Sequence, residues 1–158
     1  MKRRVLRATA VVAVLAMLVG AASASAGILV GQYPGRITGV EGNGNLGFKG
    51  GNMKFKINGA GRITSFKFAK IRVACTDGNV YRTSGHISPG VRAFRHNGTR
   101  KFKFHGSNSY GGVLKVVGIF RGDNHARGLL RFKGRMGTSG GVKDCTTFRQ
   151  LWSAKHAR

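Results

Sequence analysis

Acidic residues are almost missing from this chain. Glu41, Asp77, Asp123 and Asp144 are the only carboxylates in 158 residues. Calcium modules and glycosidases need several carboxylates brought together, and this scarcity argues against both. Proline numbers 2, and the 26 glycines follow no G-X-Y period, which excludes collagen. The chain has 2 cysteines and 5 scattered histidines, and it lacks H-x-H, H-E-x-x-H and C-x-x-C. No metal site and no cofactor is therefore expected. Gly42-Asn43-Gly44-Asn45-Leu46-Gly47 matches G-x-G-x-x-G by letters. The next residues, Phe48-Lys49-Gly50-Gly51, lead into a strand rather than a helix, so the stretch reads as a loop and not as a dinucleotide cradle.

Positive charge is what the chain has in excess. Lys and Arg number 28, giving a formal charge of +24. Hydrophobic residues at 41% and aromatics at 9% are still enough for a packed core, so global disorder is not expected. The first residues read as an export signal. Lys2, Arg3, Arg4 and Arg7 precede an apolar run from Ala8 to Val19, and Ala24-Ser25-Ala26 forms an A-x-A cleavage site. The run is too short and too alanine-rich for a membrane span. Residues 1–26 are thus expected to be a signal peptide and 27–158 a single secreted domain, with no membrane span after processing. Losing four cations with the leader leaves a charge of about +20.

The remainder alternates with period two, the mark of half-buried strands. Met53-Lys54-Phe55-Lys56-Ile57, Lys101-Phe102-Lys103-Phe104 and Leu130-Arg131-Phe132-Lys133-Gly134-Arg135-Met136 each place apolar residues on one face and cations on the other. Turn chemistry separates the runs at Asn58-Gly59-Ala60-Gly61, Asn97-Gly98, Ser107–Gly112, Gly122-Asp123-Asn124 and Gly137–Gly141. This punctuation leaves about eight strands: Gln32–Thr38, Phe48–Ile57, Arg62–Cys75, Val80–Ile87, Val91–His105, Val113–Arg121, Ala126–Met136 and Cys145–Lys155. The fold class is all-β, an antiparallel meander closing as a small barrel or tightly curved sandwich.

Three details sharpen this expectation. Phe66 and Phe68 share one phase while Ile71, Val73 and Cys75 share the other, so a β-bulge near Ala69-Lys70 is needed to keep both sets in the core. Val113 to Phe120 is apolar in both phases apart from Lys115, which predicts a more covered strand. The last strand is expected to set Thr146, Phe148, Gln150, Trp152 and Ala154 on one face and to pair with the first, bringing Tyr33 near Trp152. Closure of that kind removes exposed edges.

An even cysteine count in an exported chain predicts one disulfide, Cys75–Cys145, closing a loop of about 70 residues. Gly31-Gln32-Tyr33-Pro34-Gly35-Arg36-Ile37-Thr38, then Phe55-Lys56-Ile57, Gly61-Arg62-Ile63, Phe66, Cys75, and Cys145 with Trp152-Ser153-Ala154-Lys155 resemble small secreted all-β proteins of actinobacteria. The resemblance covers most of residues 27–158. Its motifs are strand-and-turn patterns without chemistry, so it implies export and a bridged all-β fold only.

Candidate chemistry is sparse. Arg121-Gly122-Asp123 spells an adhesion tripeptide and Asn97-Gly98-Thr99 a glycosylation acceptor, yet both are ordinary turns. Glu41, His86, His105 and Arg72 could supply the residue types of a small secreted nuclease or cell-wall hydrolase, but no spacing nominates them. Lys54, Lys56, Lys67, Lys101, Lys103, Arg131, Lys133 and Arg135 all alternate with apolar residues, so they should face water together as a cationic surface. The leading expectation is a non-catalytic domain that binds a polyanion, whether cell-wall polymer, acidic polysaccharide or nucleic acid, without reading base sequence. The alternatives are the small hydrolase and, if the barrel interior is open, a small-ligand carrier.

Overall fold

The structure, a computed structural model, describes residues 27–40, 50–96 and 99–158. The expected leader 1–26, Glu41, the 42–47 glycine loop and Asn97-Gly98 lie outside the described residues. Eleven strands carry the described chain: β1 Gly31–Val40, β2 Asn52–Ile57, β3 Arg62–Cys75, β4 Val80–Ile87, β5 Val91–Arg92, β6 Phe94–His96, β7 Thr99–Ser107, β8 Val113–Arg121, β9 His125–Thr138, β10 Gly141–Thr146 and β11 Gln150–Lys155. All pairings are antiparallel. The alternation predicted about eight strands. The Val91–His105 run divides into β5, β6 and β7, and the run through residues 141–155 divides into β10 and β11.

The sheet runs β10-β3-β2-β1-β11-β9-β8-β7-β6, and β10 also pairs with β9, which closes a ring. β8, β7 and β6, which continue from β9, and β4 and β5, which pair with β3, lie outside that ring. The architecture is therefore ring-like without being a simple cylinder. As expected, the first strand pairs with the last, with Gly35 opposite Ala154 and Ile37 opposite Trp152. Tyr33 and Trp152 meet through Phe55, which stacks on Tyr33 at 4.7 Å and meets the indole edge-on at 6.1 Å. His96 stands opposite Thr99.

The bulge is where the alternation demands it. Register shifts between Phe68 and Ile71, and Lys70 takes φ 58°, a rare conformation for a residue with a side chain. Its N–H donates to Ser84 Oγ at 3.1 Å. Phe66 before the bulge and Ile71 and Val73 after it are all fully buried. Cys75 lies opposite Cys145 with the two bridged, so the disulfide joins the end of β3 to β10 rather than to the last strand.

Aromatic rings pack the core inside the curved sheet. Phe102, Gly118, Gly128 and Trp152 form one cross-strand row over β7, β8, β9 and β11. A Cβ on Gly118 would strike the Phe102 ring, and one on Gly128 the indole and the Val117 carbonyl. Two glycines in strand interiors thus make room for two large rings 5.9 Å apart. Burying each such ring contributes roughly 2–3 kcal/mol. On the far side, β4 and β7 approach without a ladder. Phe66 meets Phe104 at 5.2 Å there, and the Ile87 side chain lies over Gly106.

Two expectations need correction. Phe148 does not share the core face of Trp152: it is exposed, because residues 147–149 leave the sheet. Thr147 is the buried one, its Oγ1 accepting from Phe132 N–H at 2.7 Å and its own N–H donating back to the Phe132 carbonyl. β8 is flanked by β7 and β9, but its outer face is uncovered, and Val117 is 41% exposed.

Candidate polyanion interface

Strand alternation sorts the cations. Met53, Phe55 and Ile57 point into the core, so Lys54 and Lys56 point out. Lys67 follows buried Phe66 and is exposed likewise. The β2–β3 register sets Lys54 directly opposite Lys67. Such partners have Cβ atoms about 5 Å apart, and like charges so placed destabilise a sheet. Ammonium groups ~6 Å apart repel by about 0.7 kcal/mol even at the dielectric of water. An anion bridging the pair removes that penalty.

These two lysines line an open groove of about 830 Å³ that crosses β11, β1, β2, β3 and β4. Five adjacent strands make it roughly 19 Å long. Arg36 and Lys155 contribute two more cations, and Asn52, Ser84 and Ser153 contribute hydrogen-bonding groups. Arg36 stands opposite Ser153 of β11 and Asn52 of β2 in the register. The β3 bulge sits at one end, where Ala69 and Ser84 form the wall. No carboxylate lines the groove among the described residues.

Compared with known protein families, curated proteins and solved structures, the chain matches none.

The other cations nominated from sequence lie elsewhere on the curved outer face. Lys103 and Lys133 are exposed on β7 and β9, Lys101 is half-buried, and β8 separates the two strands. Arg131 faces Lys115 of β8, and Arg135 faces Asp144 of β10. The eight residues therefore divide into a β2–β3 set and a β7–β9 set rather than one continuous patch. Arg36, Lys155, Lys115 and Arg127 were not among them. Each alternates with a buried or glycine neighbour, but none has a second Lys or Arg two residues away, so the pattern does not stand out.

Like-charge register pairs recur. Arg62 lies opposite Arg92, and Arg72 opposite Arg82. The described acids are spent on turns and strand pairing. Asp77 accepts from the Tyr81 hydroxyl at 2.7 Å and from Asn79 N–H at 3.1 Å, and the tyrosine bond holds its carboxyl below the usual range. Asp123 sits in the β8–β9 turn, where its backbone carbonyl lies 2.9 Å from the Tyr33 hydroxyl. That hydroxyl also meets the Leu29 carbonyl at 2.9 Å. Burial, with help from the Asp123 charge, pushes the Tyr33 phenol up to about 12.

The residue types of a hydrolase do not converge in any described contact. His86 on β4 meets Ser65 Oγ at 3.1 Å, and His105 on β7 lies opposite Lys115. No group of three or more His, Cys, Asp or Glu could hold a metal ion among the described residues. Gly137-Thr138-Ser139-Gly140-Gly141 spells G-x-S-x-G, a match that strand alternation hides. It forms the β9–β10 turn, closed by Thr138 Oγ1 donating to the Gly141 carbonyl at 2.7 Å. A nucleophile elbow needs a strand-to-helix turn, and here the turn leads into a strand. No helix among the described residues is long and apolar enough to cross a membrane.

Proposed function

We propose that the protein is an exported, non-catalytic β domain that binds polyanions along the groove across β11, β1, β2, β3 and β4. The observation that carries this reading is the direct opposition of Lys54 and Lys67 in a groove that also receives Arg36 and Lys155 and no described acid. Repeating anionic groups along a polymer would sit between the cation rows, with Asn52, Ser84 and Ser153 as donors. The partner class is cell-wall polymer, acidic polysaccharide or nucleic acid. The Cys75–Cys145 bridge is compatible with an extracellular setting, and cleavage after Ala26 would leave Gly27 as the secreted N-terminus. The cavity that opens toward the core between β4 and β7, lined by Ile71, Leu114, Phe132 and Met136, holds only about 150 Å³, which is small for a carried ligand.

Salt tests the proposal. Neutralising phosphates releases condensed counterions, so six contacts lose on the order of a thousandfold in affinity between 50 and 200 mM salt. Lys54→Glu with Lys67→Glu should flatten the log–log slope of DNA or heparin binding against salt by about 2. Lys101→Glu with Lys103→Glu, outside the groove, should change it less. Equal losses from both double variants would show that net charge, not the groove, does the binding. An unchanged slope in the groove variant would reject the groove.

A further inference from the structure

The outer face of β8, β9 and β11 departs from the cationic pattern of the rest. Val117, Leu129 and Leu151 stand in one cross-strand row, with Lys103 of β7 at its end. Val117 and Leu151 are 41% and 40% exposed. Ile119, two residues beyond Val117 on the same face, extends the patch. Scattered exposed aliphatic residues need no explanation, but contiguous ones mark an interaction surface. Cations border both sides. Lys115 and Arg131 form the next row on one flank, and Lys101, Arg127 and Arg36 lie in the row on the other. Between the apolar row and the Arg127 row runs a shallow groove of about 680 Å³, under which lie Gly118 and Gly128.

We infer that this face docks onto the surface of an anionic lipid bilayer, the aliphatic row entering the headgroup region while the flanking cations meet lipid phosphates. The charge pattern selects this occupant. A second copy of the chain would bring its own cations against these, and a water-soluble polyanion has nothing to place on four aliphatic side chains. A surface that is anionic and apolar within a few ångströms of depth satisfies both. Each basic residue near such a surface strengthens binding about fivefold. The inference rests on the outer faces of β8 and β9, which the polyanion groove does not reach, and shares β11 and Arg36 with that groove.

The experiment is co-sedimentation of the purified protein with vesicles of phosphatidylcholine alone and of phosphatidylcholine with one quarter phosphatidylglycerol, at 150 mM salt. Binding is expected to the anionic vesicles only. Val117→Ser with Leu151→Ser should weaken it at least about tenfold and leave the salt needed to elute from heparin unchanged. Lys54→Glu with Lys67→Glu should do the reverse, lowering heparin elution while keeping most vesicle binding. Val117→Trp supplies a reading that does not depend on loss of binding: its emission should shift to the blue on anionic vesicles and be quenched by bromolipids. Wild-type indifference to anionic vesicles would overturn the inference. So would vesicle binding that survives the serine pair intact, or a tryptophan at 117 that bromolipids fail to quench.

Discussion

Tyr33 shows how much one side chain ties together. Its ring stacks on Phe55, meets Phe120 and His156 edge-on, and its hydroxyl sits against the carbonyls of Leu29 and Asp123. The folded phenol holds its proton up to about pH 12, against 10 for the free group. Between those values the unfolded chain loses the proton and the folded chain keeps it, so stability falls as pH rises. The loss should begin near pH 10 and reach on the order of 2 kcal/mol by pH 12. Urea midpoints against pH should show this for the wild type and a flatter alkaline limb for Tyr33→Phe. Gly128 makes a simpler case. A methyl there meets the Val117 carbonyl and the Trp152 ring, so Gly128→Ala should cost about 2–3 kcal/mol in chemical denaturation. An alanine variant as stable as the wild type would refute the packing of that row. Neither glycine of the row was legible in the sequence as a seat for a ring, because a glycine's neighbours are set by the register of other strands.

At the scale of elements, β10 is the piece on which closure depends. It lies between the last two residues of β3 and the late half of β9, pairing with both, and the disulfide fastens it to β3. Bridging residues 70 apart restricts the unfolded chain, which is worth about 4 kcal/mol. Cys75→Ala with Cys145→Ala should lower stability by about that amount. Native-state hydrogen exchange in the variant should loosen first in Gly141–Thr146. Uniform loosening across all strands would show that β10 has no separate role. The bulge in β3 was readable because a phase flip between Phe68 and Ile71 has only one inexpensive solution. The break after Thr146 was not. Thr147 looks like one more member of an alternating run, and its burial comes from a paired bond with Phe132 15 residues away. β8 misled for a related reason: a doubly apolar strand implies a cover, and here nothing in the described chain lies over Val117.

For the whole molecule, charge acts in two opposed directions. A chain of +24 repels itself when compact, and like-signed register pairs such as Lys54/Lys67 and Arg62/Arg92 concentrate that repulsion. Salt screens it. The melting temperature should therefore rise between 10 and 500 mM sodium chloride, over the range in which polyanion affinity collapses. A melting temperature independent of salt would mean that the cations stand too far apart in solution to matter. That the protein is basic on its outer face was legible from alternation alone. How the cations group was not, since Arg36 joins Lys54 through the β1–β2 register and Lys155 joins them only after residues more than a hundred apart in sequence have paired.

That pairing has a consequence in time. β11 lies between β1 and β9, so the two flanking strands share no ladder until the final residues arrive. A chain emerging from the ribosome can form the β1–β2–β3 meander early, but β1 keeps an open edge until residues 150–155 are available to cover it. Contacts of this span are slow to form. Any device that holds back the C-terminus holds back the fold. A chain threaded unfolded across a membrane would thus complete its ring on the far side, once its tail had crossed.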